Sequence, residues 1–111
     1  MAELQARAIT PPPAGLHVLF WPNGAMAEKG VWTNSKRVGI HQEWYDDGTL
    51  WTKGEWVDGK RVGIHQEWWP NGTLADEGRW DNGKEVGVHR AWMADGEIWK
   101  TAVWVDGKRV S

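Results

Sequence analysis

The stretch GIHQEWYDDGTLWTKGEWVDGKRV, Gly39 to Val62, decides the fold, because the next 24 residues repeat it. Gly63 to Val86 reads GIHQEWWPNGTLADEGRWDNGKEV and is identical to it at 14 of 24 positions. Looser copies occupy residues 15–38 and 87–110, and the four units follow one another without insertion. A fixed period of this size marks a repeat architecture, in which each unit buries its apolar surface against its neighbours. The expected organisation is one repeat domain, 15–111, behind an N-terminal arm or cap, 1–14.

Within each unit two turn signals recur. The first is Pro22-Asn23-Gly24, Asp46-Asp47-Gly48, Pro70-Asn71-Gly72 and Ala94-Asp95-Gly96; the second is Asn34-Ser35, Asp58-Gly59, Asn82-Gly83 and Asp106-Gly107. Between them lie runs rich in Trp, Ile, Val and Thr, which suit strands. The first signal fits a type I turn followed by a left-handed residue, the three-residue hairpin loop with a G1 bulge. The same loop assumed at the second turn sets Glu55 opposite Arg61 and Arg79 opposite Glu85, charge pairs that swap together between units. It also places Trp21/Ala27, Tyr45/Trp51, Trp69/Ala75 and Met93/Trp99 as diagonal pairs. The reading is an all-β, elongated, single-layer antiparallel meander of four 24-residue β-hairpins.

On that register one face carries Ile40, Trp44, Leu50, Trp56 and Val62 with their counterparts Ile64, Trp68, Leu74, Trp80 and Val86. Gly54 and Gly78 on this face leave room for indoles to lie across the sheet. The histidines, Glu43, Glu67, Lys53 and the diagonal aromatics fall on the other face. The 11 tryptophans are the compositional outlier, and a stacked row of them stabilises a sheet that lacks a second layer, each burying about 150–250 Å².

A glycine, an aromatic pair, a turn ending in Asn-Gly or Asp-Gly and then G-x-W-x-D-G-K resembles the MORN repeat, the membrane occupation and recognition nexus. The 24-residue form is similar to the bacterial MORN variant of YwqK-family antitoxins. The resemblance implies stacked single-layer hairpins that serve as a binding platform, with no shared catalytic residues. The near-identity of units two and three is also what a designed repeat scaffold would show.

Composition narrows the chemistry. A net charge of −2 gives no general pull toward nucleic acid, and the absence of cysteine removes thiol catalysis, thiolate metal sites and disulfides. The N-terminus lacks the apolar core of a secretory signal, which points to the cytoplasm. His17, His41, His65 and His89 share one repeat position, two strands or about 9.6 Å apart. That is too far for two of them to share a zinc ion bound at about 2.0–2.1 Å. Neither a metal nor another cofactor is expected. The only serines are Ser35 and Ser111, so no enzymatic activity is expected either.

Two surfaces remain as candidates. The aromatics Trp21, Tyr45, Trp51, Trp69 and Trp99 form a surface for a protein partner, a toxin among them. A basic edge of Lys36, Arg37, Lys60, Arg61, Lys84, Lys108 and Arg109 suits phosphates of nucleic acid or of lipid head groups, although Asp58, Asp81, Glu85 and Asp106 dilute it. The functional expectation is a non-catalytic protein-binding platform of the antitoxin or immunity type. A structural or assembly module that dimerises or docks on membranes is the alternative.

Overall fold

The computed structural model describes residues 14–111; the expected arm or cap lies outside the described residues, Ala14 apart. Nine antiparallel strands form one sheet in sequence order, an uninterrupted meander. They are β1 (Ala14–Phe20), β2 (Met26–Thr33), β3 (Lys36–Trp44), β4 (Leu50–Val57), β5 (Lys60–Trp68), β6 (Leu74–Asp81), β7 (Lys84–Trp92), β8 (Ile98–Val105) and the short β9 (Lys108–Arg109). The plate measures 41 × 34 × 17 Å. Its thinness shows in the burial: among the described residues only Ala27 and Ala102 are buried apolar side chains, and no side chain is wholly enclosed.

The first turn has the expected form. Trp21 N–H donates to Ala25 O at 2.7 Å, Gly24 N–H donates to Trp21 O at 2.9 Å, and Gly24 has φ +92°. The second turn differs. Thr33 pairs with Lys36, Val57 with Lys60, Asp81 with Lys84 and Val105 with Lys108, so each second turn holds two residues. Both residues of each have positive φ. This is the type I′ hairpin that Asn-Gly and Asp-Gly favour, because its twist matches that of the strands. Arg61 therefore faces Trp56, and Glu85 faces Trp80. The expected Glu55–Arg61 and Arg79–Glu85 pairs do not form, since Glu55 faces Val62 and Arg79 faces Val86.

The expected faces change for a second reason. Between Glu43–Thr52 and Trp44–Leu50 the ladder skips Trp51, and the same bulge recurs in every hairpin. One extra residue inverts the alternation along the rest of the strand. Trp56 and Trp80 consequently leave the face of Ile40, Trp44 and Leu50 and join the face of the histidines. Indoles and imidazoles alternate there in one ladder: His17, Trp32, His41, Trp56, His65, Trp80, His89 and Trp104, with ring centroids 5.6–6.4 Å apart.

Neighbouring hairpins are joined by a second irregularity. The ladder of β2 and β3 is regular up to Lys29–Gln42 and resumes only at Val31–Val38, and the same gap recurs between β4 and β5 and between β6 and β7. The imidazole of the later hairpin fills each gap. Nε2 of His41, His65 and His89 lies 2.8, 2.7 and 2.8 Å from the carbonyls of Val31, Glu55 and Arg79. A carbonyl only accepts, so Nε2 carries the proton. Each ring lies flat against a glycine of the earlier hairpin. A Cβ built on Gly30, Gly54 or Gly78 would stand 2.1–2.2 Å from the ring's Nδ1. The glycines thus make room for imidazoles of the next repeat, where the sequence suggested indoles. Ala102 holds the equivalent place in the fourth unit, opposite His89.

Gly54→Ala is expected to expel the His65 ring and cost about 2–4 kcal/mol, an overpacking strain plus a lost hydrogen bond. Urea denaturation checks this against Ala102→Gly, for which a loss of at most about 1 kcal/mol is expected, the entropic cost of a glycine inside a strand. In a His65→Ala background the Gly54→Ala penalty should largely disappear.

Candidate functional site

The bulges and two-residue turns bring three parallel rows of side chains onto the histidine-bearing face. The first is acidic. Following the pairing across the sheet, Glu28 faces Glu43, Glu43 faces Thr52, Thr52 faces Glu67, and Glu67 faces Asp76. Like charges directly opposite one another destabilise a sheet. Thr52 separates the two pairs and donates its Oγ1 hydrogen to Glu43 Oε1 at 2.9 Å. Burial, followed by the Asp76 charge, raises the Glu67 carboxyl above its ordinary range. Burial also raises Asp76, against the pull of His89 and Lys100.

The second row is the histidines. Burial lowers His41 and His65, opposing the backbone hydrogen bonds that favour their charged forms. Their rings are neutral at pH 7 and serve as donors to carbonyls. His17 instead places Nε2 3.5 Å from Glu28 Oε1.

The third row alternates indole and guanidinium. Arg37 lies 5.2 Å from the Trp32 ring and 5.0 Å from the Trp56 ring. Arg61 lies 5.4 Å from Trp56 and 4.8 Å from Trp80. All four distances are within the reach of cation–π attraction, worth about 0.5–2 kcal/mol depending on exposure. Between the acidic row and this row runs a groove of about 270 Å³, bordered by Glu43, Glu67, Trp51, Trp56 and His65. A second hollow of about 290 Å³ lies toward the C-terminal end, against Trp80, Trp99 and Trp104.

The sequence-predicted aromatics divide into two sets. Trp21, Tyr45 and Trp69 point their polar atoms into the next hairpin. Trp21 Nε1–H donates to Trp44 O at 3.0 Å, Tyr45 O–H to Trp68 O at 2.6 Å, and Trp69 Nε1–H to Trp92 O at 2.9 Å. Met93 holds the corresponding place in the fourth unit and offers no polar hydrogen. These residues staple one hairpin to the next along the first-turn side. Trp51 and Trp99, on the bulges, border the grooves instead, and Trp99 is 69% exposed. Tyr45 and Trp51 make the expected diagonal contact, with ring centroids 5.8 Å apart.

The predicted basic edge also divides. Lys36 and Lys84 reach Asp58 and Asp106 at 3.6 Å in exposed pairs, which contribute little to stability. The stems of Lys36, Lys60 and Lys84 cover Gly59, Gly83 and Gly107. Lys108 is exposed in β9. Arg37 and Arg61 leave the edge for the indole ladder. Arg109 faces Trp104 and donates its Nε hydrogen to Ser111 O. Sequence reasoning missed the acidic row and the indole–guanidinium row because both depend on the bulge. The available signal was the recurrence of an aromatic five residues before the Arg37 and Arg61 positions.

Two consequences for pH follow. His41 and His65, lowered in the folded state, contribute stability that is present above their ordinary value of 6.5 and declines as pH falls below it, because the unfolded chain takes up protons first. Glu67, raised in the folded state, acts in the opposite sense. Its ionisation penalty is present at neutral pH and is relieved as pH falls toward 4.5. Glu67→Gln is therefore expected to stabilise the protein at pH 7.5 by about 0.5 kcal/mol, the scale of a like-charge cross-strand pair. That gain should vanish below about pH 4.5. Urea midpoints across pH 4–8 measure both effects.

No curated protein matches the chain. Residues 37–58 and 61–82 match the model of the MORN repeat variant family, and repeats of this kind are commonly protein- or membrane-binding modules. The two matched segments coincide with the two central hairpins of the sheet, β3–β4 and β5–β6.

Proposed function

We propose that the protein is a non-catalytic protein-binding platform and that the histidine-bearing face receives the partner. The observation that carries this reading is the groove itself. It joins exposed indoles to a row of carboxylates held in unfavourable proximity, on a scaffold whose repeats are locked at both turn edges. Charge repulsion retained at a cost in stability is a common mark of a surface kept for binding. Exposed aromatics beside such charge supply the large, rigid contacts on which interfaces depend. The MORN-variant match supports binding as the activity class. The resemblance to the repeats of antitoxins gives the finer reading, an inhibitor that covers a toxin in the cytoplasm.

A second reading has its own observation. The opposite face exposes Leu16, Phe20, Ile40, Ile64, Val88 and Ile98, an apolar display suited to a second copy or to a membrane surface. Light scattering and liposome sedimentation distinguish these two.

The binding reading is tested by affinity capture with paired variants. Trp51→Ala with Trp99→Ala should reduce retention of the captured partner at least about tenfold, a loss near 1.4 kcal/mol or more. Ile40→Ser with Ile64→Ser should leave retention unchanged. The reverse pattern would move the site to the opposite face, and turnover of any substrate by the purified protein would contradict the non-catalytic assignment. For the finer reading, co-expression should relieve growth inhibition by the captured partner.

A further inference from the structure

The indole ladder has three intervals, and the chain fills two of them with its own guanidinium groups. Indoles of successive hairpins stand two strands apart, about 9.6 Å at the usual spacing. Arg37 lies about midway in the first interval and Arg61 about midway in the second. An imidazole edge completes each interval, His41 in the first and His65 in the second. The third interval, Trp80 to Trp104, is built in the same way. His89 lies 5.8 Å from Trp80 and 6.1 Å from Trp104. Gly87 faces Trp104 as Gly63 faces Trp80. The residue facing Trp80, however, is Glu85, in the place that Arg61 takes opposite Trp56.

Glu85 is half-buried and has no ion-pair partner within 4.0 Å among the described residues. It borders the hollow of about 290 Å³ together with Trp80, Trp104, Glu67 and Asp76. Arg61, Lys100 and Arg90 border it as well, Arg90 in register with Glu77. The Arg61 guanidinium is already engaged between Trp56 and Trp80, and Lys100 acts on Asp76.

We infer that the Trp80–Trp104 interval is a receptor slot for the guanidinium group of an arginine carried by a partner polypeptide. Two indole faces at guanidinium spacing attract a planar cation. The Glu85 carboxylate, in the register position that Arg61 holds in the preceding interval, offers the bidentate acceptor that arginine matches and lysine does not. The sheet supplies its own template for the geometry in the two preceding intervals. Only the assignment of the guanidinium to a polypeptide rests on the protein-binding reading; the slot itself does not.

The test is an NMR titration of the full chain with acetyl-arginine amide, following the indole Nε1–H signals, with acetyl-citrulline amide as the neutral isostere. Saturable shifts confined to Trp80 and Trp104 are expected, with citrulline at least about tenfold weaker. Glu85→Arg should abolish the response by placing the chain's own guanidinium in the slot. Glu85→Gln, which preserves size and fold, should weaken binding at least about fivefold by removing the charge-assisted acceptor. Equal shifts with citrulline, shifts centred on other indoles, an undiminished response in Glu85→Gln or no saturable response would each overturn the slot. Because the ligand is a small molecule, failure here leaves the capture experiment and the platform reading standing. Loss of platform binding in the Trp51 and Trp99 variants likewise does not depend on this titration.

Discussion

The hydrogen bond from an imidazole of one hairpin to a carbonyl of the hairpin before it is the interaction on which the rest of the sheet depends. Each join between hairpins interrupts the backbone ladder. A hydrogen bond contributes about 0.5–1.5 kcal/mol net, so a bare interruption at every join would forfeit a few kcal/mol in sum. His41, His65 and His89 close the interruptions, and they do so only because Gly30, Gly54 and Gly78 have no side chain to obstruct the ring. The same rings space the indoles, and the spacing in turn admits Arg37 and Arg61. The bulges and two-residue turns set the register, and on it the spacing of the aromatic ladder and the guanidinium stacking depend on one contact repeated three times.

A one-layer sheet has no opposing layer against which to pack, so its stability comes from neighbours along the stack. Staples at the first-turn side join Trp21, Tyr45 and Trp69 to the following hairpin. At the second-turn side, Gly59, Gly83 and Gly107 donate to the carbonyls of Arg37, Arg61 and Glu85, each at 2.9 Å. Such a molecule behaves as a row of units coupled to their neighbours. In the fourth unit Met93 stands in place of the donor and Ala102 in place of the glycine.

The period of 24, the hairpins and the single layer were legible in the residues, because turn signals and strand-forming runs recur in fixed phase. The first turn was legible to the level of its loop type. The face assignment was not, and the reason is local. A bulge at Trp51 inverts the side-chain alternation, and no residue there announces it, since Ala27 and Ala75 occupy the same position as Trp51 and Trp99. Asn-Gly and Asp-Gly did announce a two-residue turn. The swapped charges of Glu55, Arg61, Arg79 and Glu85 argued for a longer one, and the twist preference of the strands prevailed. Of the candidate site, Trp51 and Trp99 were singled out in the sequence; Trp51 lies on the groove and Trp99 on the second hollow. The carboxylate row and Glu85 became meaningful only once Trp56 and Trp80 were on the histidine face.

The central claim is that imidazoles lock the hairpins together, and the tautomeric state of the histidines tests it most directly. Nitrogen-15 spectra of the imidazole rings at pH 7 should show His41, His65 and His89 as Nε2–H tautomers, with that proton protected from exchange and coupled through the hydrogen bond to the carbonyl carbons of Val31, Glu55 and Arg79. Rings that hold the proton on Nδ1, or that exchange it freely with solvent, would contradict the account.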